Sequence, residues 1–225
     1  MIVVVDSSSL ITLSGSCLIR ILKHISKSRG ITFIIPESVY NESVKRPLKI
    51  MHYELNAIRI RDAVEEGYLQ VARTTPGIKK SMEEFSRVSA QLCTTRGRKI
   101  TLINEGEAET LALLKELDSS VLMIDERTTR MLIEEPENVV SFLEYRNKCR
   151  VKLNKANLET FRKFLSKIKV IRSVEAIALA YEDGSFANEL HKSKQALEAA
   201  LFAAKFGGCA VNISEIRDFL RNEKT

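Results

Sequence analysis

Five acidic residues stand where an alternation of strands and helices would place reactive groups: Asp6, Glu42, Glu107, Asp125 and Glu126. Asp6 directly follows the apolar run Ile2 to Val5, and Asp125-Glu126 directly follows Val121 to Ile124. Glu42 lies six residues beyond Pro36, and Glu107 three residues beyond Asn104. No histidine, cysteine or glycine-rich phosphate loop accompanies them. Carboxylates gathered without a counter-charge are costly unless a cation neutralises them. Oxygen-only donors favour Mg²⁺ or Mn²⁺ over zinc. Such an ion keeps waters, accepts phosphate oxygens and lowers the pKa of a bound water, which is the chemistry of phosphodiester hydrolysis.

Each acid also has an ordinary reading. Asp6, before Ser7-Ser8-Ser9, suits a helix N-cap. Glu107 completes a capping box with Asn104. Glu42, between Asn41 and Ser43, reads as a solvated surface acid, and Asp125 and Glu126 as complements to a helix dipole. The spacing alone leaves both readings open.

The elements that must position these acids are legible in the hydrophobic pattern. Ile2 to Val5, Ile31 to Ile35 and Val121 to Ile124 are short apolar runs without polar alternation, as in strands buried on both faces. Ile168 to Ile171 is a weaker fourth run, broken by Lys169. Between them the period becomes helical, for example at Leu18, Ile21, Leu22 and Ile25, and at Ala196, Leu197, Ala200 and Leu201. Pro36 opens a helix, Gly207-Gly208 closes one, and Asn212 to Glu215 begins a last short helix running to about Asn222. Strands alternating with helices predict a three-layer α/β/α domain on a central parallel sheet. Ligands of open α/β sheets bind beyond the carboxyl ends of the strands, where these acids fall.

The 225 residues, 44% hydrophobic, suffice for one substantial domain with appendages. Cys17, Cys93, Cys149 and Cys209 show no ligand spacing and read as four buried thiols, which argues against a zinc site or a disulfide framework. The first residues lack a basic region before an apolar one, and no apolar run approaches a membrane span, so a cytoplasmic protein is expected. The net charge is +6, but it is local. Residues 136–172 hold ten Lys/Arg against three Glu, a balance of +7, so the remainder is nearly neutral. A basic surface of this kind suits a polyanion.

The wording around the acids resembles the PIN-domain nuclease family, in particular an archaeal and bacterial subgroup of it. VVVDSSSLITL is similar to its opening strand, metal-binding Asp and helix start, and IPESVYNESV to its Pro-x-x-Val-x-x-Glu pattern at Pro36, Val39 and Glu42. GEAETLALLKEL resembles its Gly-Glu-Ala-Glu helix, with Glu107 at the third acidic position. VLMIDERTTR resembles its Asp-Asp-x-x-Ala-Arg, with Glu126 in place of the second Asp, Thr129 in place of Ala, and Arg130 in register. Residues 170–186 are similar to the closing strand and helix, and the stretch from Leu197 to Leu220 to the tail of the subgroup.

The resemblance implies a metal-dependent endoribonuclease with Asp6, Glu42, Glu107 and Asp125 as catalytic acids. The same four and Glu126 would hold Mg²⁺ or Mn²⁺, with Ser8 and Arg130 as auxiliaries. It implies RNA as substrate, in a toxin-like role with an antitoxin or in processing with a ribonucleoprotein, and leaves room for a homodimer. The alternative it allows is an inactive RNA- or protein-binding module. The basic segment, read as an insertion over about 134–167, offers Arg146, Lys148, Arg150, Lys152, Arg162 and Lys163 to RNA, interleaved with Phe142, Tyr145, Phe161 and Phe164. Arg96, Arg98 and Lys99 form a second basic patch. Residues 1–186 then form the PIN-like domain and 187–225 a C-terminal helical extension.

Overall fold

The computed structural model describes residues 1–222. The chain opens with β1 (Ile2–Val5), α1 (Ser7–Gly15) and α2 (Ile21–Arg29), then β2 (Thr32–Pro36) and the short α3 (Glu37–Tyr40). A π-helical turn (Asn41–Lys45) and a 3-10 turn (Pro47–Lys49) follow, before α4 (Met51–Glu65) and β3 (Leu69–Ala72). Next come α5 (Pro76–Ser89), the hairpin of β4 (Cys93–Thr95) and β5 (Arg98–Lys99), α6 (Glu105–Glu116), β6 (Val121–Met123) and α7 (Arg127–Glu134). The basic segment forms α8 (Val139–Asn147), β7 (Lys152–Leu153) and α9 (Lys155–Leu165). The chain continues through β8 (Lys169–Ile171), α10 (Ser173–Glu182), α11 (Lys194–Gly207) and α12 (Ile213–Asn222).

Five parallel strands form the central sheet in the order β3-β2-β1-β6-β8. Its faces are divided by the period of two. Val3, Val5, Phe33, Ile35 and Met123 join a core with α1, α2, α10, α11 and α12, while Val4, Ile34, Leu122 and Ile124 join another with α5, α6, α8 and α9. Both faces are covered, which is why these strands read as unbroken apolar runs. This is the expected three-layer architecture. Leu197, Ala200, Leu201 and Ala204 of α11, with Ile216 and Leu220 of α12, are buried in the first core.

The strands that the hydrophobic pattern missed lie at edges. β3 closes the sheet with only Leu69 fully buried, so it has no apolar run. A separate antiparallel sheet, β5-β4-β7, is built from residues 93–99 and the basic segment. Arg96 and Gly97 both take positive φ (48° and 76°), the geometry of the tight turn that joins β4 to β5. Through Cys93↔Leu153 and Thr94↔Lys152 the basic segment is stitched to the α5–α6 connection. Leu143, Leu158, Phe161 and Leu165 anchor it in the second core. The expectation of four buried thiols is corrected: Cys93 and Cys209 are buried, but Cys149 is half-buried and Cys17 exposed.

Candidate active site

The sheet order reverses between β1 and β6, since β2 and β3 lie to one side of β1 and β6 and β8 to the other. At such a switch point the connections leave in opposite directions and open a crevice beyond the carboxyl ends. Asp6 ends β1 and Asp125-Glu126 follows β6, so both chain segments border it. Asp6 is 2% exposed and caps α1, accepting Ser8 N–H at 2.9 Å and the Ser8 hydroxyl at 2.6 Å through Oδ2. The same Ser8 Oγ accepts the N–H groups of Asp125 (3.0 Å) and Glu126 (3.2 Å), tying the ends of the two strands together. Burial raises the Asp6 pKa, the Ser8 and Ser7 donors oppose it, and the nearby Glu126 adds to it.

Glu42 enters from the π-helical turn. There Arg46 N–H reaches back five residues to Asn41 O at 3.0 Å, just before Pro47, whose ring would meet the carbonyl four residues back in a regular helix. Half-burial raises the Glu42 pKa, and Asp6 pushes it the same way, while Arg46 and the Ser7 hydroxyl pull it down. Its carboxylate lies against the first turn of α6. A Cβ on Gly106 would fall 2.9 Å from Glu42 Oε2, so the Glu42 carboxylate keeps this position only beside a bare backbone.

Glu107 reaches the crevice from the same turn. The capping box is present, with Asn104 N–H donating to Glu107 Oε2 (2.7 Å) and Glu107 N–H to Asn104 Oδ1 (2.8 Å). Burial pushes the Glu107 pKa up to about 8. The Asn104 N–H opposes this, and the charges of Asp6 and Glu126 reinforce it. The buried Thr129 hydroxyl lies nearby without closing a hydrogen bond of ordinary length.

The two acids after β6 part company. Asp125 is fully buried, with Oδ1 accepting Ser173 N–H (2.8 Å) and Oδ2 accepting the Ser173 hydroxyl (2.7 Å). It fixes the start of α10 and, together with burial, holds the Cys209 thiol up at about 12. Glu126 caps α7 through Thr129 N–H (2.7 Å), and its charge acts on Asp6 and Glu107. The structure therefore groups Asp6, Glu42, Glu107 and Glu126, with Glu105 beside Glu42, and turns Asp125 toward α10.

A protein-family model described as a PIN domain matches residues 2–136. The chain belongs to the PIN-domain family. Searches of curated proteins and of solved structures return no match. PIN domains are usually nucleases and generally use divalent metal ions, which places this chain among the nuclease-type folds. The site of this PIN domain is suited to such an ion in donor chemistry, being all oxygen, and in electrostatics, since burial, with neighbouring carboxylates adding to it, raises the pKa values of Asp6, Glu42 and Glu107. Among the described residues, no three acidic, histidine or cysteine side chains converge closely enough to hold one ion as they stand. No described helix is long and apolar enough to cross a membrane.

Other residues of the PIN domain take roles that spacing could not assign. Glu109, the second Glu of Gly-Glu-Ala-Glu, is buried and accepts Ser38 N–H (2.9 Å) and the Thr74 hydroxyl, locking α6 to the starts of α3 and α5. Arg46, one turn after Glu42, is the cation that lowers the Glu42 pKa against burial and Asp6. Arg130 pairs with Glu134 at 3.4 Å and lines a charged cleft of about 610 Å³ with Arg127, Arg172, Glu175 and Glu215.

The basic residues spread over the outer layer. Arg146, Lys148, Arg150, Lys152, Arg162 and Lys163 are exposed, though Arg162 faces Glu159 at 3.8 Å. Lys99 and Lys152 flank Thr94 in register, which joins the two basic patches on one small sheet. Phe161 is corrected to a core residue and Phe164 is half-buried against that core, both edge-on to Phe85. Tyr145 remains at the surface, and Phe142 is half-buried against the same core.

Proposed function

We propose that this PIN domain is a metal-dependent endoribonuclease whose Asp6, Glu42, Glu107 and Glu126 hold Mg²⁺ or Mn²⁺. The observation that carries the reading is the gathering of these acids at the sheet's switch point, where burial first and neighbouring carboxylates second raise Asp6, Glu42 and Glu107, the last to about 8. A group that crowds carboxylates beyond its counter-charge is stabilised by a divalent cation, and the all-oxygen set selects the hard ions. When bound, the ion would supply an activated water and neutralise charge on the phosphate.

The residues of this chain do the positioning. Ser8 fixes Asp6 relative to the backbone that carries Glu126. The Asn104 N–H orients Glu107, and the bare Gly106 leaves room for the Glu42 carboxylate. Below its raised pKa Glu107 holds a proton on its carboxyl, which it gives up when a cation takes its place. Arg46 limits the excess charge at Glu42. The basic surface of α8, β7 and α9 favours a role in RNA processing over that of a small toxin.

The test is cleavage of single-stranded and structured RNA by the full chain with Mn²⁺ or Mg²⁺ against EDTA. Asp6→Asn keeps an N-cap oxygen for Ser8 and is expected to lower cleavage at least about a hundredfold without loss of thermal stability. Unchanged cleavage in Asp6→Asn would sink this site assignment. A second reading, a docking module with a vestigial site, is favoured by the lack of convergence of three acids among the described residues. Calorimetry separates the two, because no Mn²⁺ bound at millimolar concentration would leave the docking role.

A further inference from the structure

We propose that the groove between α7 and α8 binds single-stranded RNA, with Tyr145 stacking on one unpaired base and Arg127 and Arg146 clamping a phosphate. The groove, about 480 Å³, is lined by Arg127, Met131, Ser141, Phe142, Tyr145 and Arg146 among others. Phe142 is half-buried on α8, and two guanidinium groups gather on it. The Arg127 carbon lies 4.7 Å and the Arg146 carbon 5.4 Å from the ring centroid. The ring quadrupole attracts both cations, and so holds two like charges together at the surface.

Among the described residues neither arginine has a carboxylate partner within salt-bridge distance, although the arginines at 130, 162 and 172 do. Arg146 also donates to Thr128 Oγ1 at 3.4 Å, linking the last turn of α8 to the first turn of α7. Glu135 borders the groove as an anion, its Oε2 accepting the Asn138 side-chain amide at 2.8 Å, and it pairs with neither arginine. A fixed, unneutralised pair of guanidinium groups is a phosphate site by its chemistry.

Tyr145 supplies the second half of the recognition. It is 86% exposed, an aromatic ring left in water beside that pair. A stacking surface next to phosphate-binding arginines is what an unpaired, unstacked base requires, whereas a duplex keeps its base faces covered. Arg127 directly follows Glu126, so a strand held here leads into the acidic crevice. Phe142, Tyr145 and Arg146 lie beyond residue 136, where the family match ends, so the α8 wall of the groove comes from the basic segment and the α7 wall, with Arg127, from the matched region. The inference rests on the nuclease reading only for where the strand leads.

The test is binding of a fluorescein-labelled ten-nucleotide oligouridine to the full chain in EDTA, followed by anisotropy. Tyr145→Ala should weaken binding about fivefold or more, and Tyr145→Phe should bind as the native protein does. An abasic oligomer of equal length should bind the native chain more weakly by a similar factor and be indifferent to Tyr145→Ala. Arg127→Ala with Arg146→Ala should flatten the salt dependence of log Kd by about 0.7 for each phosphate no longer held. Native-like binding by Tyr145→Ala, or an equal loss on a duplex, overturns the proposal. EDTA separates the two claims: Tyr145-dependent binding by a protein that never cleaves sinks the nuclease reading alone, and cleavage by a protein whose binding ignores Tyr145 sinks this inference alone.

Discussion

Replacing Glu107 by glutamine should stabilise the metal-free protein at neutral pH and leave it almost unchanged in acid. The unfolded carboxyl titrates near 4.5, and in the fold it is pushed up to about 8. Between those values the folded state holds the proton that the unfolded state has lost, so native stability falls as pH rises through that window and levels off above it. The penalty is absent below 4.5. At pH 7.5 the two pKa values correspond to about 4 kcal/mol, of which roughly half is realistic after relaxation and water entry. Glutamine keeps an oxygen for the Asn104 N–H, so the capping box survives. For a chain of this size the gain corresponds to a rise in Tm of roughly 4–8 °C. Thermal melts in EDTA at pH 4.5 and 7.5 read it directly. A Glu107→Gln protein equally displaced from native at both pH values, or less stable at 7.5, would refute the assignment of a crowded, protonated Glu107. Excess Mn²⁺ should narrow or reverse the difference, because only the carboxylate gains a cation.

Gly106→Ala should leave stability within about 1 kcal/mol of native, since the added methyl meets only the mobile end of Glu42, yet lower RNA cleavage by about tenfold as Glu42 is displaced. Melting and cleavage assays on the same preparation check both halves. Asp125→Ala should cost about 2–4 kcal/mol, because two donors of Ser173 lose their acceptor in a fully buried place, whereas Glu126→Gln should lower cleavage about tenfold with little change in Tm. The reverse pattern would return Asp125 to the site. Thiol titration of the native protein should modify Cys17 first and spare Cys93 and Cys209, which are buried and held up at about 11 and 12.

The sheet's centre was legible because burial on both faces leaves a continuous apolar run, as at Ile2–Val5 and Val121–Met123. Its edge was not. β3 buries one residue fully, and in the separate small sheet β4, β5 and β7 are two or three residues long and lack any apolar run of their own. The candidate acids were legible from their places after strands and at a helix start, but direction was hidden. Asp125 and Glu126 are neighbours, and which one faces the crevice depends on Ser173, 48 residues away from Asp125. The aromatics divide for the same reason: Phe161 faces Phe85 across the outer layer, while Tyr145, in the same basic segment, stands largely in solvent.

The hydroxyl of Ser8 has a further consequence. Its single proton goes to Asp6, and its lone pairs are taken by two main-chain amides. An oxygen so fully subscribed has no capacity left to attack a phosphorus atom or to accept a modifying group while the fold is intact. Reactivity must therefore pass through the acids around it. The serine acts as a rivet set during folding, so the spacing of the reactive edge is inherited from the sheet and not assembled afresh when a substrate arrives.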